Sequence, residues 1–189
     1  MKTLSIQEMH YESLLTTQQI LYELGWHTLS VNVLSNQEKI RLARGIEGSR
    51  LNWKWAMSRY SSTTEEGILD ISLKVVGHHS PEALHAVIIG KYDVRRQQFI
   101  LCMLENFIYK QKAALVGKVL IIALIYATTF CDIAELKEIY IQDPTPEARP
   151  RYVSWGFAQV WDDPDKMSAE VDSIRLNAQQ KVQDIILNG

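Results

Sequence analysis

Gln97-Gln-Phe-Ile-Leu-Cys-Met-Leu-Glu-Asn-Phe-Ile108 reads as a strand, and Val119-Leu-Ile-Ile-Ala-Leu-Ile-Tyr-Ala127 as a helix without a polar side. Gly117 stands just before that helix. Leu136-Lys-Glu-Ile-Tyr-Ile-Gln142 is a second strand. It leads into the turn and short helix Asp143-Pro-Thr-Pro-Glu-Ala-Arg-Pro-Arg-Tyr-Val-Ser-Trp-Gly-Phe157. Strand, glycine, apolar helix, strand and short helix, in this order, decide the fold. The run from Val119 to Ala127 is much shorter than the about 20 residues that a bilayer crossing needs. A helix that is apolar all round is instead one packed inside a protein.

The rest of the chain fits around this segment. Tyr11 to Leu24 has helical spacing, with Leu14, Ile20, Leu21 and Leu24 apolar, and Gly25 is a stop signal. Thr28 to Leu34 alternates as a strand does. Ser35 with Glu38 forms a capping-box pattern before a helix carrying Ile40, Leu42 and Ala43. Leu51 to Tyr60 is a second helical piece, and Ser61 to Gly67 a loop. Strands are expected at Ile68 to Val76, Ala83 to Tyr92 and Gln97 to Ile108, joined by short turns as an antiparallel meander. Lys166 to Asn188 reads as a helix with Met167, Val171, Ile174, Ala178 and Val182 on one face. The expected fold class is α/β (α+β), a mixed sheet with helices on both faces. A chain of 189 residues is most simply one domain, 1–189, with a core over about 28–161 and a closing helix over about 166–188.

A formal net charge of −2 supplies no global attraction to nucleic acid or to an anionic membrane. Cys102 and Cys131 sit in apolar surroundings, as small buried hydrophobes do. Without a disulfide framework or an apolar leader at Met1 to Glu8, a reducing cytoplasm fits. His78, His79 and His85 have no carboxylate or cysteine at ligand spacing, so no metal is expected.

The segment from Gln97 to Phe157 resembles the acyl-CoA-binding half of a GNAT-type N-acetyltransferase. The resemblance implies that fold, with extra helices at both ends. It also implies acetyl-CoA as co-substrate, an amine as acceptor, and a transferase reaction. In that family a loop of Gln/Arg-x-x-Gly-x-Gly/Ala precedes the helix and holds the pyrophosphate. Here Ala114, Gly117 and Val119 stand at those places. Gly117, Lys118 and Val119 would then bind the cofactor, with Lys112 supplying charge nearby. The branched side chain of Val119 would crowd a close approach. Tyr152, four residues before Gly156, matches the tyrosine that protonates the leaving thiolate. Thr145 takes the place of an asparagine three residues before the alanine at 148. Glu105 matches a carboxylate that acts as general base; its other reading is an edge charge or a structural acceptor for a loop amide. Trp53 and Trp55 with Tyr60 read as core aromatics or as the lining of an acceptor pocket.

The acceptor is then a small-molecule or peptide amine. A membrane is excluded as partner, nucleic acid is disfavoured by the charge, and a homodimer is one assembly open to the chain. The degenerate loop and Thr145 also motivate a second function: a non-catalytic protein that keeps the fold for binding or regulation.

Overall fold

The computed structural model describes residues 3–61, 67–108 and 118–188. Helix α1 (Ile6–Glu23) leads to β1 (Leu29–Val33), α2 (Asn36–Arg44) and α3 (Trp53–Ala56), which runs on into one π-helical turn (Met57–Ser61). The meander follows as β2 (Ile68–Gly77), β3 (Ala86–Asp93) and β4 (Gln98–Asn106). Then come α4 (Val119–Ile133), β5 (Glu138–Gln142), α5 (Arg149–Ser154), β6 (Ala158–Val160), β7 (Asp163–Glu170) and α6 (Val171–Asn188).

The strands form one sheet in the order β1-β2-β3-β4-β5-β7-β6. Every pairing is antiparallel except that of β4 with β5. A parallel pair needs a crossover, and α4 provides it. Because α4 runs back along the sheet, its N-terminal end lies at the C-terminal ends of β4 and β5.

Side chains alternate across the sheet and divide the core in two. On one face Ile71, Leu73, Ile88, Phe99, Ile139 and Ile141 pack with α1, α4 and α6. On the other face Val87 and Ile89 pack with Leu42, Trp53, Ala56 and Tyr60 from α2, α3 and the π-turn. Asp70 and Lys74, which alternate with Ile71 and Leu73 along β2, turn to this second face. There they pair with Lys39 and Glu38 of α2 at 2.7 and 2.8 Å. Val119 to Thr128 are all buried, as the apolar run predicts, and burial goes on through Phe130 and Cys131. Fully burying one Val, Leu or Ile side chain contributes about 1.5–3 kcal/mol, so α4 is a principal source of the core's stability.

The Ser35–Glu38 capping box is present, with Ser35 Oγ accepting from the Glu38 amide and Glu38 from the Ser35 amide. A second box, Ser5 with Glu8, starts α1 earlier than its apolar spacing indicates. The tail differs from the expected continuous helix. Lys166 to Glu170 belong to β7, and Met167 pairs with Ile141 of β5. The segment has no β-branched residues, and pairing with β5 overrides its weak propensity. Helix α6 starts at Val171 and buries Val171, Ile174 and Val182. Among the described residues, no helix is long and apolar enough to cross a membrane.

Candidate active site

Strands β4 and β5 are paired only over Phe99–Ile139, Ile100–Tyr140 and Leu101–Ile141. Beyond Leu101 they part. The cause is visible in the β3–β4 register, where Ile89 faces Met103 but Gly90 faces Leu101. Cys102 is therefore an extra residue, a β-bulge, and a bulge bends its strand and re-aims the residues after it. Among the described residues, this leaves a crevice at the C-terminal ends of two parallel strands. Such a crevice is a usual ligand position in α/β sheets.

The N-terminus of α4 adjoins the open end. Lys118 is its cap residue and makes no side-chain cap hydrogen bond. A helix start carries amides without intrahelical partners and a positive dipole end, both of which attract anions. Val119 is buried in the core, so its branched side chain is turned away from that approach. The Lys118 ammonium packs over the Trp26 ring, 4.6 Å from its centroid, and burial lowers its pKa. Lys112 and Gly117 lie outside the described residues.

Tyr152 comes from α5, half-buried against the main core, with its ring edge-on to Phe157. Gly156 has φ +104°, a conformation that suits glycine, and it lets the chain leave α5 and bury Phe157. No hydrogen bond to the Tyr152 hydroxyl is found among the described residues. Burial raises its pKa, so the phenol stays protonated at neutral pH. Thr145 is exposed, and its hydroxyl accepts from the Ala148 amide at 3.3 Å, at the start of α5.

Glu105 is buried on the α3 side of β4. One carboxylate oxygen accepts from the Arg50 amide at 2.5 Å. The other accepts from Trp53 Nε1 at 2.7 Å and from Ser49 Oγ at 3.3 Å. Gly48, at φ +83°, brings this loop against the Phe107 carbonyl, where any Cβ would collide. Of the two roles open to Glu105, this donor set favours the acceptor of loop amides. Trp53 is accordingly a core residue, whereas Trp55 is exposed.

No protein-family model matches the sequence, and no curated protein matches it either. Solved structures do. AtaTR bound with AcCoA superposes with a TM-score of 0.56 at 14% identity, over 79% of this chain and 98% of that one. The KacTA–DNA complex gives 0.56 at 12% identity, over 80% and 99%. A spermidine N-acetyltransferase SpeG chimera from Vibrio cholerae and hSSAT gives 0.51 at 11%, over 78% and 98%. The fold is that of the GNAT-type N-acetyltransferases.

Sequence reasoning missed one further cluster in this GNAT fold. Asp143 follows β5 with φ +48°, in the left-handed region that Asp tolerates better than most residues. This breaks the strand's alternation and brings the carboxylate to the π-turn. Its Oδ2 accepts from Tyr60 at 2.6 Å and from Arg59 Nε at 2.9 Å. Its Oδ1 accepts from Gln142 at 3.1 Å. Burial alone would raise the Asp143 pKa, but these hydrogen bonds outweigh it and lower the value. The Arg59 guanidinium also lies over the Trp55 and Tyr60 rings. Only a positive-φ residue after β5 signals the cluster, and sequence does not display φ.

Proposed function

We propose that this protein is an acetyl-CoA-dependent N-acetyltransferase acting on an amine. The observation that carries the reading is the bulge at Cys102, beyond which β4 and β5 are no longer paired, beside the start of α4, where Lys118 makes no side-chain cap hydrogen bond. The edge of β4 beyond Leu101, unpaired with β5, suits the amide groups of a pantetheine arm, and the helix start suits a pyrophosphate. Gly117, Lys112 and the backbone at Lys118 and Val119 complete the phosphate site in this reading, with Thr145 beside the arm.

Acetyl-CoA supplies the activated acyl group. The acceptor ammonium loses one proton to solvent, and the neutral amine attacks the thioester carbon. The C–N bond forms and the C–S bond breaks. Tyr152 gives its proton to the sulfur and regains one from the nitrogen. The products are an amide, the CoA thiol and one released proton.

Acetyl-CoA at about 100 times its dissociation constant should stabilise the protein by about 2.7 kcal/mol. For a chain of this size that is a rise in Tm of roughly 5–10 °C. Gly117→Asp places a carboxylate against the pyrophosphate and should abolish the rise while leaving the Tm without ligand nearly unchanged. An equal rise in both proteins would move the phosphate site away from Gly117.

A further inference from the structure

We propose that Asp143 binds the acceptor's ammonium group through Oδ1 and orients the amine toward the crevice. The inference deepens the acetyltransferase reading and rests on it. Asp143 lies two residues beyond Ile141, the last β5 residue paired with β4, and so at the open end. It faces the π-turn, on the sheet face opposite α4. Cofactor and acceptor thus approach the crevice from different faces.

Among the described residues, two carboxylates adjoin this end on the acceptor side, and they differ in spare capacity. Glu105 is buried and both its oxygens are engaged by the Ser49–Trp53 loop. Among the described residues, Asp143 has three donors on Oδ2, counting Arg59 Nη2 at 2.9 Å, but on Oδ1 only Gln142. A carboxylate oxygen has about two lone-pair positions, so Oδ1 can accept another donor. Arg59 is half-exposed and its charge is screened by water, while the Asp143 side chain is only 23% exposed. Tyr60 and Arg59 hold the carboxylate in place before a ligand arrives, which reduces the ordering cost of binding.

The test follows thiol release from acetyl-CoA with n-butylamine, 1,4-diaminobutane and glycinamide as acceptors. Asp143→Asn keeps the side-chain size and the tolerance of positive φ. It should raise the amine KM about tenfold or more, the scale of a charge-assisted hydrogen bond. Acetyl-CoA affinity should stay within about twofold, since no cofactor contact is removed. Tyr60→Phe loosens the same cluster and keeps the charge, so its amine KM should rise far less. Equal effects of the two variants would make Asp143 a structural clasp and overturn the proposal. An unchanged amine KM in Asp143→Asn would overturn it too, as would a wild type that binds acetyl-CoA yet is stimulated by none of these amines. A wild type that fails to bind acetyl-CoA would instead overturn the acetyltransferase reading itself.

Discussion

Tyr152→Phe should lower the rate of acetyl transfer about 10²–10⁴-fold, the usual contribution of a general acid. The substitution removes one hydroxyl and keeps the ring that packs against the core and Phe157. No hydrogen bond to that hydroxyl is found among the described residues, so stability should change by less than about 0.5 kcal/mol. The loss should appear in kcat at saturating acetyl-CoA, because the proton is needed only as the C–S bond breaks. Equal rates in wild type and variant would remove Tyr152 from the chemistry and leave it a packing residue of α5.

Glu105→Ala should cost about 3 kcal/mol of stability. It strands the Trp53 indole N–H and the Arg50 amide, which both donate to the buried carboxylate. A buried donor left without a partner costs about 1–3 kcal/mol. The loop from Ser49 to Trp53 also loses its anchor on β4. For a chain of this length the Tm should fall by roughly 6–12 °C. A thermal melt within about 1 °C of wild type, together with a collapsed rate, would return Glu105 to the role of general base.

The fold is legible in the sequence because its central helix is written without ambiguity. Val119 to Ala127 has no polar face, and strands on both sides of a helix imply a parallel pair. The capping box at Ser35 places the start of α2 to the residue. The β6–β7 hairpin is not legible: Asp163-Pro-Asp-Lys-Met-Ser-Ala-Glu170 has neither strand composition nor clean alternation, and pairing with β5 makes it a strand. For the site, the motif around Tyr152 and Gly156 is readable as a spacing. The bulge at Cys102 is not, since it arises from a register mismatch between two strands. Asp143 is far in sequence from Arg59 and Tyr60, and meets them only through the sheet and the π-turn.

A crystal structure with acetyl-CoA tests the crevice most directly. The pantetheine arm should lie between β4 and β5, hydrogen-bonded to β4 backbone groups beyond Cys102, with the pyrophosphate at the start of α4 and the sulfur beside Tyr152. Acetyl-CoA bound elsewhere, with the crevice between Cys102 and Asp143 empty, would contradict the account.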